Sequence, residues 1–497
     1  MGQTVSLASL LRSRVLRNTG WNLLGEGAPL AAALISIPVL IHTIGVERFG
    51  ALTLTWALLG YLSMLDFGLA RALIQRIAGL TGAGRAEEVA RAVWPPLMIM
   101  CAVGSVAGTA LWLAADWLAV SVIHASGLAK EEIAGALRMA APIVPVALVS
   151  GGFRGILEGT HRFDLANAVK MPMGVLNYLS PLAVLPFTDS LVAVVAAVAV
   201  GRLAGLVAFA ALAARAVPGL PGAFGWHREN LRGVLVMGGW ISVSNVVGPA
   251  MLYIDRFVLA SLVPMAAVAY YTTPFEVVTR LLFIPAALAG ALYPTAAAAD
   301  RADPRRFGML VETGGVAVAA VFLPILMAAF LAGPPVLGLW LGPSFEADGG
   351  PVLCVLALGV FLNAVAYVPF AVIQGMGRAD LTAKMHLCEL PLYIAVLYAL
   401  VGQWGILGAA IAWALRTGGD LLVILVLAAR LTGQAQPSLH LAAVVGSVSI
   451  VCVGALLAGG MAGALVLVVG LSAVGVTVAS RLLRGPLAGR NSAPFPE

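Results

Sequence analysis

Fourteen long apolar segments, joined by short polar loops, make up almost the whole chain. A helix needs about 20 mostly apolar residues to cross the hydrocarbon core of a bilayer. The apolar runs are continuous rather than alternating with polar residues, which excludes a transmembrane β-barrel. The predicted spans are 19–43, 50–78, 92–120, 137–158, 165–187, 190–215, 233–261, 266–297, 308–333, 351–373, 385–402, 405–429, 441–460 and 462–481.

The composition excludes a soluble protein. Of the 497 residues, 61% are hydrophobic and 10% are charged, whereas a soluble domain carries about 25% charged residues. Such a chain could not cover a water-exposed surface, so soluble enzymes and nucleic-acid-binding proteins are excluded as classes. The sequence therefore predicts an all-α, polytopic membrane protein with about 14 transmembrane helices and no nucleic-acid partner.

Lysine and arginine are concentrated in alternate loops. Most of the 29 basic residues become cytoplasmic if the N-terminus lies inside the cell, as the positive-inside rule requires. An even number of spans returns the C-terminus to the same side. We therefore predict that both termini are cytoplasmic, with a basic interfacial segment at 1–18 before the first span.

Two distant loops show an internal duplication. Residues 158–165 and 374–381 share the pattern E/Q-G-x-x-R-x-D-L at an offset of 216 residues, and Arg202 and Arg416 follow in similar contexts at an offset of 214. Parallel repeats of this kind are typical of transporters, whose substrate path lies between the repeats. We predict two pseudo-symmetric six-helix lobes at 19–220 and 226–432, two further helices at 438–483 and a cytoplasmic tail at 484–497.

Charged residues lie inside the predicted spans, where each costs about 2.5–3.5 kcal/mol unless it faces protein or water. Glu276 with Arg280, and Arg416 with Asp420, are spaced four residues apart and therefore share a helical face. One interpretation of each pair is a fixed salt bridge. The other is that an anionic substrate opens the pair and the arginine binds its phosphates.

These buried charges supply the candidate sites. Arg202 and Arg416 occupy equivalent positions in the repeats, which also favours a scaffold role, and Glu26 is either hydrogen-bonded to a neighbouring helix or responsive to an ion or proton. The candidate substrate-binding residues are Arg256, Arg280, Arg416 and Arg202. The candidate ion-coupling residues are Glu26, Asp66, Asp255, Glu276 and Asp420.

The sequence shows no catalytic or metal-binding pattern. The six His and four Cys residues are dispersed, and no phosphate-binding loop of the P-loop type is present. We therefore predict a transporter rather than an enzyme, without a cofactor. Its energy would come from a H⁺ or Na⁺ gradient, the membrane potential or consumption of the product.

Short motifs spread over most of the chain resemble those of one transporter family. They are Ile37-Pro38-Val39-Leu40 and Leu65-Asp66-Phe67-Gly68-Leu69 in the first two spans, Asp255-Arg256 and Ala269-Tyr270-Tyr271 in the seventh and eighth, and Gln374-Gly375-Met376-Gly377-Arg378 after the tenth. In these motifs the chain resembles the oligosaccharide flippases of polysaccharide biosynthesis, within the multidrug/oligosaccharidyl-lipid/polysaccharide exporter superfamily.

The resemblance implies an alternating-access flippase of the bacterial plasma membrane. It implies that the chain moves polyprenyl-pyrophosphate-linked oligosaccharide to the outer leaflet for O-antigen, capsular or extracellular polysaccharide. The expected partners are this glycan, membrane lipids, a polysaccharide polymerase and glycosyltransferases. The family's central cavity is cationic, and Arg256 and Arg280 occupy plausible positions in it.

Three other functions remain open at the level of sequence. An ion-coupled multidrug exporter would have the same fold but an acidic, aromatic-rich lumen. A peptidoglycan-precursor flippase would move a related lipid. A membrane-embedded polymerase or ligase would need a long outer loop with catalytic polar groups, which the short loops do not provide.

Overall fold

The structure, a computed structural model, describes residues 28–63, 69–83, 85–123, 127–225, 251, 253–286, 288–289, 304–376 and 378–484. Throughout these residues the regular elements are helical and no strand occurs, which confirms the predicted all-α class. Four predicted features lie outside them: Glu26, Asp66, the N-terminal segment at 1–18, and residues 485–497 of the tail.

The described helices are numbered here in chain order. Each of the fourteen predicted spans overlaps at least one of them. The helices are α1 (Ala28–Ile44), α2 (Val46–Leu62), α3 (Leu69–Gly82), α4 (Ala86–Trp117), α5 (Gly127–Ala140), α6 (Ile143–Gly159), α7 (Phe163–Val184), α8 (Leu191–Ala216), α9 (253–262), α10 (Met265–Thr279), α11 (Pro304–Leu341), α12 (Gly350–Gly375), α13 (Ala379–Thr432), α14 (Ala435–Ala458) and α15 (Gly460–Arg484).

Eight helical segments of the described chain are long and apolar enough to cross a membrane. The predicted fourth span combines α5 and α6, which are separated by a turn at Ala141 and Pro142. The predicted second span contains α2 and α3 on either side of residues outside the described set. The chain is therefore a polytopic helical membrane protein in which some spans are interrupted.

Helix α13 shows how a single helical segment supplies two spans. It has 54 residues, about 80 Å at 1.5 Å per residue, whereas the hydrocarbon core is about 30 Å thick. Gly405, at φ +54° and ψ −131°, interrupts it, in a conformation that favours glycine. A Cβ on Gly408 would collide with the carbonyl of Leu400, so the arms 379–404 and 406–432 fold back on each other. They correspond to the predicted spans 385–402 and 405–429.

The chain divides into two compact units, one up to Ser261 and one from Leu262. In the first unit α8 packs against α5, α6 and α7, and α9 belongs to this unit. In the second unit α12 packs between α11 and α13 and is buried over most of its length. The hairpin of α14 and α15, predicted as two further helices, packs mainly against α11.

The duplicated loop has the same backbone geometry in both copies. Arg162 precedes α7 at φ −93° and ψ 55°, and Arg378 precedes α13 at φ −105° and ψ 40°. The N–H of each donates to the carbonyl five residues earlier, at 2.8 and 3.2 Å. Each guanidinium contacts the aspartate two residues later, at 3.3 and 3.1 Å. The hydrogen bond from Arg162 lowers the pKa of Asp164.

The loop between α3 and α4 is a third copy of this turn, which the sequence comparison missed. Arg85 has φ −96° and ψ 44°, and its N–H donates to the carbonyl of Leu80 at 2.9 Å. Its guanidinium binds Glu88 at 2.6 Å. The available sequence signal was Gly-Arg-Ala, which occurs at both 84–86 and 377–379.

Candidate functional site

The candidate residues that the structure describes lie in three places. We call the first the Arg202 cluster; it consists of Trp56, Asn177, Tyr178, Ser180, Arg202, Tyr253, Asp255 and Arg256. The second is the pair Glu276–Arg280 on α10 and the turn after it. The third, the Arg416 cluster, consists of His386, Glu389, Tyr393, Arg416 and Asp420 on the two arms of α13.

Arg202 is held by neutral side chains. Its Nη2 donates to Oδ1 of Asn177 on α7 at 3.0 Å, and its charge interacts with the phenols of Tyr178 and Tyr253. Tyrosine is neutral near pH 7. Among the described residues no carboxylate forms an ion pair with Arg202, so its positive charge is not compensated by a contact there.

Tyr253 joins the two arginines of this cluster. Its ring centroid lies 5.3 Å from Cζ of Arg256, within the range of a cation–π contact. Its hydroxyl packs on Gly60 of α2, where an added Cβ would lie 2.9 Å from the oxygen. Glycine at this position therefore allows α9 to approach α2 closely.

Arg256 and its neighbour Asp255 are almost completely buried, with 3% and 0% of their surface exposed. Oδ1 of Asp255 accepts a hydrogen bond from the backbone N–H of Arg256 at 2.8 Å. Arg256 therefore reaches Tyr253 from the buried interior of the first unit.

The same cluster contains polar groups that the described chain leaves without hydrogen bonds. The indole N–H of Trp56 is buried and has no acceptor among the described residues. The hydroxyl of Ser180 is also buried and has no hydrogen-bond partner among them. The Trp56 ring stands edge-on to Tyr178, with centroids 5.4 Å apart. Ser180 faces Gly201, the residue before Arg202. Two hydrogen-bonding groups are thus left over close to an uncompensated guanidinium.

The Arg416 cluster is built across the reversal at Gly405. Nη1 of Arg416 lies 3.7 Å from Oε1 of Glu389, and their side chains are only 10% and 13% exposed. His386 lies one turn before Glu389, with Nδ1 3.8 Å from Oε2. Glu389 was not among the candidates that the sequence supplied. The feature of the sequence that could have identified Glu389 is its position on the first arm. This position faces Arg416 once the two arms fold back on each other.

Asp420 completes the Arg416 cluster. It interacts electrostatically with Arg416, one turn away, and its Oδ1 is buried without a hydrogen-bond partner in the described chain. The guanidinium also lies over the ring of Tyr393, at 5.4 Å. The close ion pair of Arg416 is therefore with Glu389 rather than with Asp420. Among the described residues, the cluster has two carboxylates for one guanidinium.

Glu276 and Arg280 contact each other as their spacing predicts. Nη2 of Arg280 lies 3.7 Å from Oε2 of Glu276, and the two side chains are 36% and 40% exposed. Arg280 begins a short 3₁₀ turn, Arg280–Leu282. This pair is more accessible than either cluster. Among the described residues no three His, Cys, Asp or Glu side chains are grouped so that they could hold a metal ion.

Comparison with known proteins identifies the family. The family described as polysaccharide biosynthesis protein matches residues 15–299, more than half of the chain. The chain belongs to the polysaccharide biosynthesis protein family. It is 29% identical over 410 residues to the "Putative O-antigen transporter" of Shigella flexneri, a match that covers 82% of this chain and 96% of the relative. It is 26% identical over 191 residues to the "Probable flippase AglR" of Haloferax volcanii, covering 37% and 39%.

Solved structures show the same fold. An inward-facing multidrug resistance MATE family transporter matches with a TM-score of 0.70 and 17% identity, over 82% of this chain and 94% of that one. The lipid II flippase MurJ, in an inward closed conformation, matches with a TM-score of 0.69 and 11% identity, over 93% and 98%. This member of the polysaccharide biosynthesis protein family therefore shares its polytopic helical fold with these two membrane proteins.

Proposed function

We propose that this transporter flips polyprenyl-pyrophosphate-linked oligosaccharide from the inner to the outer leaflet of a bacterial plasma membrane by alternating access. The glycan serves O-antigen, capsular or extracellular polysaccharide. Both termini lie in the cytoplasm. Glycosyltransferases that build the lipid-linked glycan and a polymerase that consumes it act with the transporter.

The observation that carries this proposal is the uncompensated charge of Arg202. Among the described residues, this guanidinium contacts only neutral side chains; such a charge at membrane depth is costly, and an anionic ligand offsets that cost. Pyrophosphate accepts paired hydrogen bonds from a guanidinium. Arg256, linked through Tyr253, adds a second cation, while Trp56 and Ser180 offer further groups to the pyrophosphate or the first sugar. Arg280 stays a candidate because its pair with Glu276 is accessible.

Ion coupling belongs to the Arg416 cluster in this proposal. Two carboxylates that share one guanidinium carry an excess negative charge, which a bound proton or Na⁺ compensates. Asp420, whose Oδ1 has no hydrogen bond in the described chain, is the coupling residue. Glu276 and Asp255 each lie beside an arginine and stay secondary candidates, together with Glu26 and Asp66.

An ion-coupled multidrug exporter is the second candidate function. The observation that favours it is the acidic excess of the Arg416 cluster, since cationic drugs prefer acidic sites. The distinction lies in which cluster contacts cargo. A glycolipid flippase depends on Arg202, whereas a drug exporter depends on Glu389 and Asp420.

The test is reconstitution in liposomes with a labelled polyprenyl-pyrophosphate glycan. We expect the wild-type protein to move the label between leaflets and Arg202→Gln to lose this activity. Arg215→Gln is the matched control, because Arg215 lies on the same helix in the exposed last turn, and it should keep full activity. Transport of cationic dyes without any transport of glycan would contradict the proposal and favour the drug exporter.

A further inference from the structure

A groove of about 300 Å³ lies between α11 and α15. Four residues of α11 around Pro324 and five residues of α15 around Gly475 line it, and Ser472 supplies the one polar side chain among them. The groove is far from the charged clusters in sequence and plays no part in the proposed handling of the head group or the coupling ion.

The contact between α11 and the C-terminal hairpin is tight near the beginning of α11. There, a Cβ on Gly308 would lie 2.7 Å from Gln434, and one on Gly315 would collide with Leu441. Glu312 pairs with His440 at 3.0 Å. Further along, Pro324 removes a helical hydrogen bond and bends the helix, and Gly475 has no side chain to fill the gap.

The groove lies at the depth of the hydrocarbon core. Pro324 is about 30 Å from the start of α11, and Gly475 about 22 Å from the start of α15, at 1.5 Å per residue. An enclosed apolar cavity of about 150 Å³ stays dry even in water, and the lining of this groove is likewise almost wholly apolar. In a bilayer the occupant must therefore be hydrocarbon or an apolar protein side chain.

We propose that this groove binds one acyl chain of a bilayer phospholipid, which fastens the C-terminal hairpin to α11. Phospholipids are the most abundant source of hydrocarbon chains around the protein, so mass action favours them. A helix of a second copy does not fit, since one helical turn of 10 Å diameter and 5.4 Å pitch fills about 420 Å³. The lipid acyl chain provides the dispersion contacts that Gly475, which has no side chain, does not make.

The experiment fills the groove. A Cβ at Gly475 would meet no atom within 4 Å, so the side chain of Gly475→Leu extends into open space without a backbone clash. Val476, the next residue, is 71% exposed and does not line the groove, so Val476→Leu is the matched control. Wild type and both variants are purified in mild detergent, and native mass spectrometry measures the lipid that each retains.

We expect wild type and Val476→Leu to retain one phospholipid and Gly475→Leu to lose it. Ala479 lines the same groove, so Ala479→Leu is a second variant that can be used if Gly475→Leu folds poorly. It should lose the same lipid. Equal retention by all proteins would overturn the proposal. So would a polyprenyl phosphate as the retained mass, or a dimer that only Gly475→Leu disrupts.

Discussion

Arg202 and Arg416 occupy equivalent positions in the two repeats, but their surroundings differ in charge. Arg202 meets an amide and two phenols, whereas Arg416 meets Glu389 and acts on Asp420. Each arginine is contacted from the preceding helical segment, by Asn177 in one case and by Glu389 in the other. Among the described residues, the first arginine thus has neutral partners and the second has acidic ones.

The largest expected effect comes from removing the cation of the acidic cluster. Arg416→Gln leaves Glu389 and Asp420 buried beside each other without their guanidinium, and breaking a buried pair in this way costs about 3 kcal/mol or more. We expect a markedly lower unfolding temperature in detergent. Arg202→Gln, which leaves neutral partners, should cost about 1 kcal/mol or less.

The double variant Arg416→Gln with Glu389→Gln provides the control for charge, and it should recover most of the lost stability. If Arg202→Gln and Arg416→Gln destabilised the protein equally, the contrast between the two clusters would be wrong.

The second effect concerns transport. Asp420→Asn keeps the shape of the side chain but removes a charge from the Arg416 cluster. We expect the dependence of glycan flipping on an imposed H⁺ or Na⁺ gradient to fall about tenfold, equivalent to about 1.4 kcal/mol of coupling. Flipping assays with and without each gradient measure it. An unchanged response to both gradients would remove Asp420 from ion coupling.

A smaller effect is expected from a substitution that changes only the packing of the Arg202 cluster. Gly60→Ala places a Cβ 2.9 Å from the hydroxyl of Tyr253 and must displace that ring from its position between the arginines. We expect weaker glycan binding with little change in folding. Gly79→Ala, whose Cβ meets nothing within 4 Å, is the control and should gain about 0.5–1 kcal/mol of helix stability. Equal binding by both variants would show that Tyr253 does not position the cluster.

The smallest expected effect is on stability, and it comes from a substitution that makes the first copy of the repeated turn resemble the second. His161 has φ +59°, a conformation that costs a side-chain-bearing residue about 1–2 kcal/mol, and the corresponding residue in the second copy is Gly377. His161→Gly should therefore raise the unfolding temperature slightly, because about 1 kcal/mol of strain is relieved. Thr160→Gly, one residue earlier at a non-strained position, should lower it. A destabilised His161→Gly would contradict the equivalence of the turns.

Hydropathy and spacing predicted the helical fold well because each span is a local property of the chain. The i,i+4 spacing likewise predicted that Glu276 and Arg280 touch. The same rule did not find Glu389, since its contact with Arg416 depends on how two arms pack after the turn at Gly405. The fourth span is interrupted at Pro142, where proline removes a helical hydrogen bond.

The reversal at Gly405 also bears on how the chain enters the membrane. Glu389 and Arg416 lie on neighbouring arms of one hairpin, separated by fewer than thirty residues. Each would be costly to insert alone, but the two arms can leave the translocation machinery together with their charges already opposed. A hairpin of this kind lets a membrane protein place ionised groups in its interior without waiting for distant helices to be synthesised.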